Sequence, residues 1–225
     1  MKLLIVADVH ARKDWWHWLC RVAPAYDGVI VAGDLIDGVS RPQHLTDDRK
    51  LAEHSCETIR KTTPVFIAEG NHHAVGHWAW MKAHLGRHRL EGLVIQTLPY
   101  ADHETQFTEL KISRQIAEAE DRIWICVEHY PPIRSRISGV GDNYMLEVRS
   151  LLARPDILVC GHIHEAPFKI NGSWHDIIGQ TLCLNPGCLW GAEEPCHIIL
   201  DFAQHTATWI TPMTVRRIAV LKSGR

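Results

Sequence analysis

Six short apolar runs, none longer than five residues, recur along the first part of the chain. They cover residues 3–7, 29–32, 65–68, 93–97, 123–127 and 157–160. Uninterrupted apolar runs of this length are typical of strands that are buried on both faces of a sheet. Helical patterns lie between several of them, at residues 13–23, 47–62 and 143–153. Strands that alternate with helices predict an α/β fold.

The pattern changes after residue 163. Four further runs, at residues 168–177, 181–185, 197–202 and 207–212, follow one another without helical patterns between them. We expect these runs to form a hairpin-rich second sheet that completes a two-sheet sandwich. No linker, repeat or low-complexity segment separates the two parts, so residues 1–225 are predicted to form one domain.

Composition excludes several classes of protein. The formal net charge of −2 argues against a nucleic-acid binder that relies on bulk positive charge, although bound metal would still allow a local phosphate site. The seven cysteines form no CxxC pair, which favours a reduced, cytoplasmic chain over a disulfide framework. The apolar stretch at the start is too short for a signal peptide, and no run reaches membrane-spanning length. We therefore expect a cytoplasmic protein without a membrane segment.

Polar residues cluster where the predicted strands end. Imidazole, carboxylate and amide side chains follow five of the six strands: Asp8, His10, Asp34, Asp37, Asn71, His72, His129, His162 and His164. Because ligands of α/β sheets bind at the carboxyl ends of the strands, we expect these side chains to meet at one edge. Glycines at positions 33, 70 and 161 suit tight exits where the backbone must come close to a site.

The spacing and the residue types predict a metal centre. In extended chain, residues i and i+2 point the same way, so Asp8 can converge with His10, and His162 with His164. A mixture of imidazole and carboxylate ligands suits Mn²⁺, Fe or Zn²⁺ better than Mg²⁺ or Ca²⁺. Seven side chains of these types, two Asp, one Asn and four His, are too many ligands for one tetrahedral ion. They fit two ions that share a bridging carboxylate.

Sixteen histidines make chance pairs common, so no single motif carries much weight. The order of the motifs along the chain carries more weight. Together they resemble the calcineurin-like metallophosphoesterase superfamily: DxH at residues 8–10, GDxxD at 33–37, GNH at 70–72, a lone His129 and GHxH at 161–164. The Asn-Pro-Gly at 185–187 is similar to a turn of the small single-domain members. The resemblance implies a four-layer αββα sandwich, with two mixed β-sheets flanked by helices and a di-metal site at the carboxyl ends of the strands.

The resemblance also implies a role for each motif residue. The first metal would take Asp8, His10 and His164, the second would take Asn71, His129 and His162, and Asp34 would bridge both. His72 would be a catalytic histidine beside the substrate, and Asp37 would orient it. The cofactors would be two divalent transition-metal ions, with Mn²⁺ first and Fe, Zn²⁺ or Ni²⁺ as alternatives. A hydroxide between them would attack a phosphoric ester.

The sequence departs from the family after the GNH motif, where His73 replaces the usual acidic residue. We expect an exposed histidine at a helix start, with substrate contact as the alternative. Gly38 and Val39 stand where calcineurin-type protein phosphatases have Arg-Gly, which disfavours a phosphoprotein substrate. DNA-repair nucleases of the family carry more chain after GHxH. The expected substrate is therefore a small phosphodiester or phosphomonoester, such as a nucleotide or cyclic nucleotide.

Two other functions stay open at this point. One is a nuclease acting on DNA or RNA, and the other is a scaffold of the same fold that has lost catalysis and binds protein partners. Scaffolds typically lose ligands, whereas every motif ligand and His72 are present here. Trp78 and Trp80 are candidates for a base-binding wall, with core packing as the default, and Arg12 is a candidate for phosphate contact or an ordinary surface arginine. The sequence leaves the oligomeric state open.

Overall fold

The computed structural model describes residues 1–73, 78–100, 103–139 and 153–220, without the side chains of residues 103–107. The helix predicted at 143–153 falls almost wholly outside these residues. Four α-helices are described: α1 (Lys13–Val22), α2 (Leu45–Arg60), α3 (Ala79–Lys82) and α4 (His103–Ala119). Short 3₁₀ helices span Ala23–Ala25, Pro42–His44, Asn71–His73, Arg136–Ser138 and Ala166–Phe168. Among the described residues, no helix is long and apolar enough to cross a membrane.

Twelve strands are described, and the six predicted from the first apolar runs are all among them. The strands are β1 (Lys2–Val6), β2 (Gly28–Ala32), β3 (Val65–Ala68), β4 (Gly86–Leu90), β5 (Leu93–Thr97), β6 (Ile123–Val127), β7 (Ile157–Val159), β8 (His175–Ile178), β9 (Thr181–Leu184), β10 (His197–Asp201), β11 (Thr206–Thr211) and β12 (Thr214–Ala219). Because β-branched residues fill the strands that are buried on both faces, their bounds are read easily from the sequence.

The strands form two mixed sheets of six strands each. The first sheet has the order β12-β11-β10-β1-β2-β3, in which β1, β2 and β3 are parallel and β10 pairs antiparallel with β1. The second has the order β4-β5-β6-β7-β9-β8, in which β5, β6, β7 and β9 are parallel and the edge strands β4 and β8 are antiparallel.

The expectation that the C-terminal runs form a sheet of their own is wrong. Strands β8 and β9 extend the second sheet beyond β7, whereas β10, β11 and β12 extend the first sheet beyond β1. Residue pairing places Lys2 opposite Asp201, so β10 covers the edge of β1 that β2 leaves open. Within the run at 168–177, only the last part is a strand, because the chain turns at Gly172 before β8. Local patterning identifies such strands but does not specify their partners.

The packing of the two sheets gives four layers, as the resemblance implied. Apolar side chains such as Ile5 of the first sheet and Ile125 of the second form one buried cluster between the sheets. The outer face of the first sheet packs on α1 and α2, where Trp16 is fully buried. The outer face of the second sheet packs on α4 through Trp124 and Leu110. The two sheets therefore lie between two layers of helices.

Candidate metal centre

The predicted site residues follow five strands, three in the first sheet and two in the second. Asp8, Asp34 and Asn71 follow β1, β2 and β3 of the first sheet, and His129 and His162 follow β6 and β7 of the second. The site is therefore built across the two sheets, at the carboxyl ends of their parallel strands, where α/β folds generally place ligands.

One cluster joins Asp8, His10 and His164. Nε2 of His10 lies 3.2 Å from Nε2 of His164, and that second nitrogen lies 3.4 Å from Oδ1 of Asp8. The backbone N–H of His162 donates to both carboxylate oxygens of Asp8, at 3.0 and 3.1 Å, which fixes the orientation of the carboxylate. The three side chains thus direct donor atoms at one point, with the geometry of a candidate metal site.

A second cluster joins Asp34, Asn71, His129 and His162. Oδ1 of Asn71 lies 2.9 Å from Nε2 of His129 and 3.0 Å from Nδ1 of His162. Oδ2 of Asp34 lies 3.0 Å from Nε2 of His129 and 3.8 Å from Nε2 of His10 in the first cluster. The carboxylate of Asp34 therefore lies between the two clusters, in the position that a bridging ligand requires.

The contacts of His129 indicate that a cation belongs at this point. Its Nδ1 donates to the backbone carbonyl of Ala32 at 3.0 Å, which leaves Nε2 facing the oxygens of Asp34 and Asn71. Three electron-pair donors in contact repel one another unless a proton or a metal ion lies between them. Burial opposes protonation of His129, but the neighbouring charges, chiefly the Asp34 carboxylate, outweigh burial and raise the pKa of the ring to about 9. The hydrogen bond to Ala32 is the kind of outer contact that orients metal-binding histidines.

Three of the other candidate ligands have the protonation states that metal binding needs, whereas the contact of His164 with Asp8 outweighs burial and raises the pKa of that ring. Burial lowers the pKa of His10 to about 4, partly offset by Asp8, and burial together with His129 lowers the pKa of His162 to about 4. Both rings are therefore neutral near pH 7. Burial opposes ionisation of Asp34, but the adjacent His129 keeps its pKa well below the usual range of a carboxyl. Neutral imidazoles and ionised carboxylates are the forms that coordinate divalent ions, so the residues fit a two-metal centre.

His72 is held beside both clusters by Asp37. Nδ1 of His72 donates to Oδ1 of Asp37 at 2.8 Å, and the same carboxylate oxygen accepts the Ser40 N–H at 3.2 Å. Nε2 of His72 therefore faces the site, 3.9 Å from Oδ2 of Asp34, and its ring is partly exposed. His72 also groups with His10 and Asp34 at metal-binding distances, so distance alone fits it either as a ligand or as a group beside the ions.

Residues 1–205 match the model of the calcineurin-like phosphoesterase superfamily domain. The chain belongs to this superfamily. Its His and Asp clusters are intact, and this makes it a metallophosphoesterase that acts on phosphoric esters.

Solved structures share the fold of this phosphoesterase at low sequence identity. A dimetal phosphatase from Danio rerio is 10% identical with a TM-score of 0.69, and the alignment covers 98% of this chain and 99% of that one. Protein TT1561 of Thermus thermophilus is 11% identical with a TM-score of 0.53, over 98% and 99% of the two chains. The purple acid phosphatase PPD1 of yellow lupin is 10% identical with a TM-score of 0.58, over 93% of this chain and 50% of that one. None of the curated proteins matches the chain by sequence.

The backbone of the phosphoesterase at the site is not extended, which corrects the sequence argument for its paired ligands. Asp8, His10, Asp34 and His162 all have left-handed backbone, with φ of 55°, 46°, 44° and 67°. Asp8 and His10 converge because the chain turns sharply after β1, and not because alternate residues of a strand share a face, whereas His162 and His164 lie in different clusters. Such conformations cost about 1–3 kcal/mol each and are found chiefly at functional sites.

Two motif glycines make room for ligands. A Cβ on Gly33, whose φ is +84°, would overlap the imidazole of His129, and a Cβ on Gly70 would overlap the carboxylate of Asp34. The glycines of GDxxD and GNH are therefore required by close packing of the ligands against neighbouring strand exits.

The expectation of an exposed His73 is wrong, and the alternative of substrate contact finds no support. The side chain is 1% exposed and lies beneath the site. Its Nδ1 faces the backbone N–H of Gly70 and its Nε2 faces the backbone N–H of Leu35, both at 2.8 Å. Burial lowers the pKa of His73 to about 3. The ring therefore joins the exits of β2 and β3, which carry Asp34 and Asn71.

The structure separates the predicted candidates for substrate contact from two that the sequence argument missed. Trp78 is only 5% exposed and donates to Glu53, so the default of core packing is confirmed for it. Arg12 is committed to hydrogen bonds with Asp14 and with the backbone carbonyls of Trp190 and Ala192. The missed residues are aromatic: Tyr130 packs on His162, and Trp190 packs on His10 and His164. Only the position of Tyr130 directly after His129 was a signal in the sequence.

Proposed function

We propose that the chain hydrolyses a small phosphodiester or phosphomonoester at a two-metal centre, with nucleotides or cyclic nucleotides as the substrate class. The observation that carries the proposal is the position of Asp34, whose carboxylate lies within 3.8 Å of ring nitrogens from both ligand clusters. Two ions that share a carboxylate in this way are suited to displacement at phosphorus, because both can contact the transferred group.

The proposed ligands divide between the two ions. Asp8, His10 and His164 would hold the first ion, while Asn71, His129 and His162 would hold the second, and Asp34 would contact both. A donor set with four imidazoles favours a transition metal over Mg²⁺ or Ca²⁺. We expect Mn²⁺, with Fe, Zn²⁺ or Ni²⁺ as alternatives, and the proposal keeps the cytoplasmic location predicted from the cysteines. Two such ions supply Lewis acidity for the phosphoryl oxygens and a nucleophile near neutral pH.

His72 and Asp37 form the catalytic pair of the proposal. The carboxylate of Asp37 accepts a hydrogen bond from Nδ1–H of His72, which directs Nε2 toward the site. From there, His72 can stabilise the charge that develops on the phosphoryl oxygens, or donate a proton to the leaving oxygen. Asp37 acts only through His72, by holding its tautomer and orientation. The distances also fit His72 as a metal ligand. The number of metal ions bound by a His72 variant therefore decides between the two roles.

A small substrate is favoured over a nucleic acid because the chain has no excess of positive charge, with a formal net charge of −2. Proteins that bind nucleic acids without regard to sequence depend on basic surfaces. The proposal therefore expects little turnover of DNA or RNA.

The test measures hydrolysis of bis(p-nitrophenyl) phosphate and p-nitrophenyl phosphate in the presence of Mn²⁺, with bound metal counted in parallel. Wild type is compared with Asp34→Asn, with His72→Ala and with His54→Ala, whose imidazole is exposed on α2 and serves as the control. We expect turnover by wild type and by His54→Ala. Asp34→Asn should lose both metal and turnover, and His72→Ala should lose turnover while keeping two metals.

A folded wild type that binds metal but turns over neither ester would overturn the proposal. Loss of metal in His72→Ala would instead assign His72 to the ligands. A labelled single-stranded oligonucleotide, added in the same buffer, tests the nuclease alternative: turnover faster than that of the small esters would reverse the choice of substrate class.

A further inference from the structure

Trp190 differs in its exposure from the other tryptophans of the chain. All nine lie in the described residues, and Trp190 alone is exposed, with 49% of its surface open. Its ring centroid lies 4.9 Å from that of His10 and 5.1 Å from that of His164. Both histidines belong to the first ligand cluster, so an open indole stands at the rim of the candidate metal centre.

The loop that carries Trp190 is fixed at several points. The guanidinium of Arg12 donates to the carbonyls of Trp190 and Ala192, and Nε1 of Trp15 donates to the carbonyl of Ala192 at 3.0 Å. Before the tryptophan, the N–H of Cys188 donates to the carbonyl of His164 at 3.0 Å. A loop whose backbone is held in this way loses little conformational freedom when its side chain binds a ligand, which is the arrangement expected of a preformed binding surface.

A purely structural role for Trp190 would be to hold the ring of His10. Nδ1 of His10 is buried and has no hydrogen-bond partner among the described residues, so packing positions this ring. That role, however, is already shared by His72 and His164, whose rings also contact His10. It does not account for an indole that leaves half of its surface in water, because exposing so large an apolar group is unfavourable.

Another aromatic side chain stands on the opposite side of the centre but offers less surface. Tyr130 packs against the ring of His162 with a centroid distance of 4.4 Å. It is half-buried, and its hydroxyl donates to the hydroxyl of Tyr100 at 2.9 Å. Tyr130 is thus held on both its ring and its hydroxyl, whereas about half of the surface of Trp190 stays open.

We propose that Trp190 is the specificity-determining wall of the site and stacks on an aromatic group of the substrate, such as a nucleobase or an aryl ester. This inference rests on the proposed function, since it places the phosphoryl group at the two ions and the aromatic group beside the first of them. Stacking of bases or aryl rings on an indole stabilises complexes without reading a particular base.

The test compares two phosphonates that differ only in the aromatic group and cannot be hydrolysed. Phenylphosphonate and methylphosphonate are titrated by calorimetry into the Mn²⁺-loaded protein, and the bound metal is counted. We expect wild type to prefer the phenyl compound about tenfold, the scale of one aromatic contact. Trp190→Ala should lose the preference while keeping its metal and its affinity for methylphosphonate, and Trp190→Phe should keep most of the preference. Tyr26→Leu removes a partly buried aromatic ring that precedes β2, away from the carboxyl ends of the strands; it serves as the matched control and should behave like wild type.

Three results would overturn the inference. One is a preference that survives in Trp190→Ala, and another is a preference that disappears in Tyr26→Leu. The third is loss of metal from Trp190→Ala, which would make the tryptophan a support for His10. If the proposed function itself is wrong, neither phosphonate should bind to wild type. If wild type binds both with equal affinity, only the role of Trp190 is rejected.

Discussion

Single residues at the site hold contacts that are favourable only around a cation, and His129 is the clearest case. Its two nitrogens face three acceptors, on Ala32, Asp34 and Asn71. A neutral imidazole can donate to only one of them through its single N–H. A metal ion at Nε2 removes the conflict, because it accepts electron pairs from all the donors on that side.

Metal binding should therefore release a proton from His129. Asp34 raises the pKa of the ring to about 9, so the metal-stripped protein carries this proton at neutral pH. We expect release of about one proton near pH 7.5, and an affinity for Mn²⁺ that rises with pH and levels off above about 9. Below about pH 6.5, the ion pair between protonated His129 and Asp34 contributes fully to the stability of the metal-stripped protein. That contribution is lost as the pH rises through about 9. Calorimetry in buffers of different ionisation enthalpy counts the protons, and a count of zero would contradict the assignment.

Gly33 should be as important for metal binding as a ligand. In Gly33→Ala the added methyl group overlaps the ring of His129 and must displace it. Gly92→Ala is the matched control, since Gly92 also has positive φ, +72°, but has open space around it. Both variants carry the backbone strain, of about 1 kcal/mol. Only Gly33→Ala should lose affinity for Mn²⁺, by about tenfold or more, because misplaced ligands bind metals weakly. Equal affinities in the two variants would show that strain, and not the ring, decides.

His73 should stabilise the fold through the hydrogen bond that its ring accepts. A neutral imidazole accepts at one nitrogen only, so His73→Phe keeps a ring in place but removes the acceptor from one of the two N–H groups that face it, that of Leu35 or that of Gly70. A buried donor left unpaired costs about 1–3 kcal/mol, so the free energy of unfolding should fall by about that amount. His88→Phe is the control, because this ring is half-buried and its hydrogen bond to Thr97 is long, at 3.5 Å. His73→Glu, with two acceptor oxygens, should recover stability in the Mn²⁺-loaded protein. Denaturant titration measures all three, and an unchanged His73→Phe would rule out the role.

The sequence reveals ligands at this scale better than it reveals their surroundings. Asp34 and His129 are recognisable because the motif around each is short and local. The burial of His73 and the exposure of Trp190 depend on which distant segments cover them, and no local pattern encodes that. The contacts of His73 with two strand exits become visible only when both strands are in place.

Elements with a strong apolar pattern were predicted, and elements with a weak one were missed. Helix α4 was not expected, because few of its described residues are buried apolar ones, chiefly Leu110 and Ala117. Strand β4 has the sequence GRHRL, and its Arg87 is bound to Glu109 and Ser113 of α4. An edge strand that is held by ion pairs and by its neighbour β5 has no apolar alternation to identify it.

The exits of β7 and β9 are joined by one side chain, Asn185. It is fully buried, its Nδ2 donates to the carbonyls of Ile137, Gly161 and Ile163 at 3.1–3.4 Å, and its Oδ1 accepts the N–H of Gly187. These bonds link the turn before Trp190 to the segment that carries His162 and His164.

Removal of this link should cost stability and metal affinity together. Asn185→Leu leaves several buried polar groups unpaired, so we expect the free energy of unfolding to fall by about 3 kcal/mol or more. Affinity for Mn²⁺ should fall as well, because the GHxH segment is then free to shift. Asn171→Leu, at an exposed position, is the control for the substitution itself. A destabilised variant with unchanged metal affinity would confine Asn185 to a structural role.

At the scale of the whole molecule, the candidate metal centre brings together polar side chains of the two sheets, which otherwise meet through apolar packing. The resemblance implied the four layers correctly, because it rests on strand ends that the motifs mark. The distribution of the last five strands between the sheets was not predictable from their own sequences. It is decided by which sheet edges remain open once β1 and β7 are in place, and that is a property of the assembled fold.

Metal ions should therefore act as a clamp between the sheets. The first sheet supplies Asp8, His10, Asp34 and Asn71, and the second supplies His129, His162 and His164. A ligand that binds only the folded state stabilises it by about 2.7 kcal/mol at a hundred times its dissociation constant, and two ions add their contributions.

Mn²⁺ should raise the Tm of wild type in a concentration-dependent manner and leave that of Asp34→Asn nearly unchanged. Hydrogen exchange locates the effect. Because the ligands come from both sheets, amides of β2 and of β6 should slow by similar factors, whereas ligation within one sheet would protect that sheet first. Protection confined to β2 would mean that the histidines of the second sheet do not bind the ions, and the two-cluster arrangement would then have to be given up.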